Sequence, residues 1–283
     1  MEPLATGGLK SGYDPRDYWY TPLGKGAIDW TTGFDIEKLL GFPIASKDQG
    51  RSFSCGGQAW SYYAAVLEYF ASKSYEERSA RHIYSHTHVA PGGGSRGRDN
   101  CDFVKTQGVA KEADASSYEN GKAPSEAFVT TKPTLSPNAL SDIANTKALS
   151  YLRIQGDFDM VAQAVADNYG AIILIQGEDN GTWRSSYPQP PYKRQWAHWL
   201  YCGKLKTIKG KRYIGVKNSW GDKTGVKGWQ WLSEEYFASG AIPEAWTMQW
   251  DYTPSKRIVI MKQMIAILSK VIPLQKLLLT YKK

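Results

Sequence analysis

Cys55 is the first of only three cysteines in the 283-residue chain. It stands where the loop DQGRSFS (residues 48–54) gives way to a long helical-looking run. A thiolate, not a thiol, attacks a carbonyl carbon, so a nucleophilic cysteine needs something that lowers its ordinary pKa. The first turn of a helix does so through its unpaired N–H groups and its dipole. Gly56 and Gly57 leave the side chain uncrowded. The same chemistry requires an imidazole as proton carrier, a third group that orients the ring, and donors that face the oxyanion. A buried structural thiol is the competing role, because free cysteine is among the most buried residue types.

The four histidines are His82, His86 and His88 in HIYSHTH, and His198. His82 and His86 share a helix face, a spacing that suits a metal. Cys101 and Asp99 lie within sequence reach, but nothing in HIYSHTH completes a ligand set, and we assign no metal site. GGGSRG (92–97) follows no strand and lacks the GK[ST] ending of a phosphate loop. Cys101 and Cys202 receive no role. An odd number of widely spaced cysteines is not a disulfide framework and is compatible with a reducing compartment.

The elements that must position these groups follow from periodicity. Residues 1–28, rich in Gly, Pro and Tyr, read as an extended lead-in. DIEKLLG suggests a short helix, and residues 55–71 place Trp60, Ala64, Val66, Leu67 and Phe70 at near-helical spacing. SYEERSARHIYSHTHV reads as a second helix, stopped before the glycine run. DNCDFVKTQG reads as a third, with Asp99 as N-cap and Gly108 as its end. Residues 113–148 show little periodicity and read as loop. DFDMVAQAVADNYG predicts a helix, AIILIQG a buried strand, HWLYCGKL and RYIGVKNSW a hairpin, and GWQWL another strand. A mainly helical first half thus precedes a mainly β second half.

Composition is that of a globular protein, 42% hydrophobic and 22% charged, which excludes wholesale disorder. Of the net charge of +8, seven positive charges sit in residues 255–283, where Asp and Glu are absent, so the body is nearly neutral. The high pI therefore gives no reason to expect nucleic-acid binding by the body. The N-terminus lacks the pattern of a secretory signal, and no run of ~18 apolar residues suits a membrane span. We leave localisation open; cytoplasm and a viral or multiprotein particle are both compatible.

Taken together, DQG…SC before a helix, a His opening a strand, then VKNSWG and GVKGW resemble the papain-like cysteine peptidase family. The resemblance spans roughly residues 29–240 in the family's order, beginning at Asp29–Trp30. It implies an α+β, two-lobed papain-like fold, with a helical lobe over about 45–140 and a β-barrel-like lobe over about 150–250. These make a domain of 29–254 with the cleft between the lobes. It assigns Cys55 as nucleophile, His198 as acid–base, Asn218 as the ring's orienting partner and Gln49 as oxyanion donor. Trp220 shields the His–Asn pair, and Gly92, Gly93 and Gly94 are candidates for the edge that pairs with substrate backbone. It implies hydrolysis of a peptide or isopeptide bond in a polypeptide substrate, and calls for no metal or organic cofactor.

Several positions depart from the family. Gly56 replaces the Trp after the nucleophile, Trp199 replaces a small residue after the His, GDKTG lacks a second Trp, and Ser52 replaces a disulfide cysteine. These departures place the chain among divergent, microbial or viral, members. The 28 lead-in residues are fewer than the family's usual inhibitory pro-segment, so restraint is expected from the lead-in, a partner or location. A peptidoglycan stem-peptide amidase and a catalytically silent papain-like module remain as rivals. In the tail (255–283), Val259, Ile260, Met264, Ile267, Leu268 and Val271 are spaced for a basic amphipathic helix interrupted by Pro273. Three roles stay open for it: completing the core, docking on another protein or assembly, or lying on an anionic membrane surface.

Overall fold

The computed structural model describes residues 5–22, 26–90, 92–144 and 146–250. The tail assigned to 255–283 lies outside them. In chain order the elements are β1 (Gly8–Leu9), β2 (Phe34–Asp35), α1 (Ile36–Leu40), α2 (Cys55–Ser72), α3 (Ala80–Thr87), β3 (Ser95–Arg96), α4 (Gly97–Thr106), α5 (Glu126–Thr130) and α6 (Pro137–Ala144). There follow β4 (Ser150–Ile154), α7 (Phe158–Asn168), β5 (Ala171–Gly177), a 3-10 turn (Thr182–Arg184), β6 (Trp196–Ile208), β7 (Lys211–Lys217), β8 (Trp229–Ser233), α8 (Glu234–Ala238) and β9 (Glu244–Gln249).

Helices α2 to α6 form one lobe. The other is a seven-stranded sheet in the order β4-β9-β5-β6-β7-β8, with β2 added alongside β6. All of its pairings are antiparallel. The path ends at β4 and β8 without closing, so the expected barrel-like lobe is an open sheet among the described residues. The β6–β7 hairpin turns at Lys209 and Gly210, both at positive φ (48° and 77°).

Helix α2 is buried around its whole circumference from Cys55 to Leu67, as befits a central helix rather than a surface one. On one side Gly57 passes α3 so closely that a Cβ would stand 2.4 Å from the Ala80 carbonyl oxygen. On the other, Trp60 meets Trp199 of β6 edge to face, with ring centroids 5.0 Å apart. Side chains alternate along a strand, so Trp199 and Tyr201 pack toward α2. Leu200 and Cys202 pack on the opposite face with Val161 and Val165 of α7. Burial on both faces explains the continuous apolar character of AIILIQG. Cys101 belongs to the first core and Cys202 to the second, both fully buried free thiols.

Three further expectations change. The helix anticipated over SYEERSARHIYSHTHV begins only at Ala80, capped by the Ser79 hydroxyl, which accepts the His82 N–H at 2.9 Å. The third helix starts at Gly97 rather than after Asp99, which sits in its first turn, and its C-cap is Gln107. The segment 113–148 contains α5 and α6 rather than loop alone.

Candidate active site

The loop before α2 is fixed by short polar contacts. The Gln49 N–H donates to the Ser219 carbonyl at 2.8 Å, and the Ser219 hydroxyl donates to Gln49 Oε1 at 2.6 Å. The Ser52 hydroxyl donates to the Gln49 carbonyl at 2.7 Å and lies 2.7 Å from Ser54 Oγ. Hydrogen bonds therefore hold the turn that delivers Cys55 to the first position of α2.

His198 lies on β6 and Asn218 just beyond β7, with His198 Nε2 2.9 Å from Asn218 Oδ1. Fixed backbone groups determine the orientation of every group in this chain. Gln230 Nε2 donates to the carbonyls of Trp183 and Ser185, both at 2.8 Å, so its Oε1 is left to accept Asn218 Nδ2 at 2.7 Å. Asn218 Oδ1 also accepts the Ser219 N–H at 2.7 Å. The imidazole must then donate from Nε2 and keep its lone pair on Nδ1. That nitrogen is buried and makes no hydrogen bond. The Trp220 ring covers the imidazole at 4.5 Å, with 28° between the planes.

The thiol is not the anion that a bare helix start would favour. Burial pushes Cys55 up to about 12, outweighing the N–H groups of Trp199, Gly56 and Cys55 itself, which pull it down. Burial likewise draws His198 down to about 4 against the opposing Asn218 bond. Both groups are therefore neutral here. The contact with the Trp199 N–H places the sulfur beside the residue that follows His198.

The cover is the lead-in itself. The Ala5 carbonyl accepts Trp220 Nε1–H at 2.6 Å, and the Thr6 carbonyl lies 3.4 Å from the Gln49 Nε2 donor. The Gly7 N–H donates to the Ala197 carbonyl at 3.3 Å, and the Gly7 carbonyl accepts the Ser95 N–H at 3.0 Å. β1 then runs parallel to β3. Beyond it, Ser11 bonds the buried Glu244 carboxylate through its N–H (2.6 Å) and its hydroxyl (2.7 Å), and Asp17 pairs with Arg98 and Arg153 at 2.5 and 3.0 Å. The segment thus bonds to both lobes and passes the His198 backbone, whose nitrogen would stand 2.9 Å from a Cβ at Gly8.

Of the three edge candidates, only Gly94 meets this chain: a Cβ there would stand 1.9 Å from the Gly7 oxygen. Gly92 faces the Phe53 ring and gives its N–H to Glu126 at 2.9 Å, and the Gly93 N–H returns to Ala90. Gly56 and Trp199, the two residues that follow Cys55 and His198, meet the same segment. Gly56 faces Ser95 Oγ and Asn100 Nδ2, which would lie 2.2 and 2.6 Å from a Cβ, and Trp199 Nε1 donates to the Ser95 carbonyl at 3.0 Å. The indole therefore anchors the glycine edge rather than filling the cleft.

His82, His86 and His88 point elsewhere. His82 Nδ1 accepts the Ala110 N–H at 3.1 Å, while Nδ1 of His86 and of His88 lie 2.8 and 3.0 Å from carbonyls one turn back. Ser219 and Gln230 are site residues that motif reading passes over. Gln230 was visible as the one polar residue at the centre of GWQWL, because a polar side chain between apolar strand neighbours demands a partner.

No family model matches the sequence, and no curated protein matches it. Solved structures do. Xylellain, a cysteine protease from Xylella fastidiosa, superposes with a TM-score of 0.73 at 22% identity, over 87% of this chain and 96% of that one. Procathepsin B S9 from Trypanosoma congolense gives 0.68 at 11% identity, over 88% and 87%. Bromelain from Ananas comosus, in complex with the E64 inhibitor, gives 0.60 at 18% identity, over 77% and 99%. The chain has the papain-like fold. Among the described residues, no helix of this papain-like chain is long and apolar enough to cross a membrane.

Proposed function

We propose that this chain is a cysteine peptidase acting on polypeptides, held latent by its own lead-in. The reading is carried by the oriented chain Gln230–Asn218–His198, which leaves the buried Nδ1 lone pair without a partner, on the strand whose Trp199 N–H contacts the Cys55 thiol. With the lead-in lifted, the thiol proton passes to His198 Nδ1 and the sulfur adds to the substrate carbonyl. Gln49 Nε2 and the Cys55 N–H stabilise the oxyanion. The C–N bond breaks as His198 returns the proton to the leaving amine, leaving a thioester on Cys55. Water, deprotonated by His198, hydrolyses that thioester and restores the thiol. Asn218 keeps the ring aligned throughout, and Trp220 excludes water from their bond.

A silent module is the second reading, favoured by the neutral, covered state of both groups. The thiol-reactive epoxide E-64 separates the two. A latent peptidase is modified at Cys55 once the lead-in is displaced, and Cys55→Ala abolishes hydrolysis. A displaced form that E-64 leaves untouched means a silent module, and hydrolysis surviving Cys55→Ala refutes the nucleophile.

A further inference from the structure

The lead-in reveals what kind of backbone fits between the walls of the cleft. Gly7 is bonded to both lobes, and at φ 128° its missing Cβ would stand 2.2 Å from the Phe53 carbonyl oxygen and 2.7 Å from Phe53 Cβ. At Gly8 a Cβ would stand 2.9 Å from the His198 nitrogen and 2.4 Å from Leu174 Cδ1. From the third side, Gly94 has room for no atom beyond Cα against the Gly7 oxygen. These walls are mainly backbone. The Phe53 N–H is held by the Glu126 carboxylate at 2.7 Å in the loop leading into α2, and His198 sits in the ladder opposite Ile175 of β5. Only the Leu174 tip can turn aside.

We propose that the cleft selects polypeptides presenting two consecutive glycines at the positions that Gly7 and Gly8 occupy, between Phe53 and His198. The proposal rests on the peptidase reading above. A peptide entering this gap meets the same hydrogen-bonding groups, the Ala197 carbonyl and the Ser95 N–H, and the same walls. The position against Phe53 is the strict one, because the obstacle there is backbone. The position against Leu174 tolerates alanine better, because part of its obstacle is a side-chain end. ATGGLK (residues 5–10) then serves as an internal mimic of the preferred ligand.

The test uses the full-length chain carrying Gly7→Val, which cannot seat the lead-in, and matched peptides that differ only in a central Gly-Gly, Ala-Gly, Gly-Ala or Ala-Ala pair. The expected kcat/KM for Gly-Gly exceeds that for Ala-Ala at least tenfold; values within twofold overturn the proposal. If Gly7→Val does not fold, Gly7→Ala and Gly8→Ala in the full chain report on the same gap. Gly7→Ala should raise iodoacetamide labelling of Cys55 more than tenfold and Gly8→Ala by less, whereas unchanged labelling in both overturns the proposal. Labelling of Cys55 without glycine preference sinks the selectivity alone. Absence of labelling and hydrolysis in every variant sinks the peptidase reading and the selectivity with it.

Discussion

Replacing Gly7 by valine should convert an inert thiol into a reactive one. A branched side chain at φ 128°, 2.2 Å from a backbone oxygen, cannot be accommodated by a rotamer change, so the lead-in must leave the gap between Phe53 and Ala197. Burial is the largest influence on Cys55 and places it at about 12, against an ordinary 9.0. At pH 7 that corresponds to roughly one thiolate in 10⁵, compared with roughly one in 10² for an uncovered thiol. The alkylation rate with iodoacetamide at pH 7 should therefore rise by about three powers of ten, since the thiolate is the reacting species. Peptide mapping by mass spectrometry assigns the label, which matters because Cys101 and Cys202 are also buried free thiols. A rate within threefold of the unmodified chain, or label on Cys101 or Cys202 instead, would refute the idea that the lead-in silences Cys55.

Acid should loosen the lead-in. His198 is held at about 4 when covered, against an ordinary 6.5, so the covered form has its full stability above pH 6.5 and loses it as pH falls toward 4. The loss reaches about a hundredfold in the covering equilibrium at pH 4. Hydrogen exchange at residues 5–11, corrected for intrinsic pH dependence, should show that protection disappearing; constant protection would contradict it. Gln230→Leu leaves Asn218 Nδ2 and two carbonyls unpaired, at about 1–3 kcal/mol per buried group. Introduced beside Gly7→Val, it should lower kcat more than it changes KM, whereas an unchanged kcat would remove Gln230 from the positioning chain. Gly56→Ala drives a methyl into Ser95 Oγ and Asn100 Nδ2 and should cost about 1–3 kcal/mol in urea unfolding, an outcome that equal midpoints would exclude.

Much of this architecture is readable from local pattern. Helix α2, strand β5 and the β6–β7 hairpin follow from apolar spacing and from turn residues such as Gly210, because each is long and periodic. The elements read wrongly are those that tertiary contacts decide. Arg78 lies within the helix anticipated for residues 74–89, yet its buried guanidinium pairs with Glu68 and Asp142, the latter at 3.0 Å, which holds the chain out of helical geometry before Ala80. Helices α5 and α6 are too short to show a period, and α5 depends on the Ser125 cap. At the site, Gln49, Cys55, His198 and Asn218 stand out through motif spacing. The state of the thiol does not, because its full burial is a product of tertiary packing. Gly7 and Gly8 look like ordinary linker glycines until Phe53 and His198 are seen against them.

The most direct measurement is intact-mass and peptide analysis of the full-length Gly7→Val chain, rapidly quenched after mixing with an activated peptide ester. The mechanism predicts a transient acyl mass on Cys55, lost on further incubation and absent from the matched chain that also carries Cys55→Ala. Ester turnover with no adduct on Cys55, or turnover that persists without the Cys55 thiol, would contradict it.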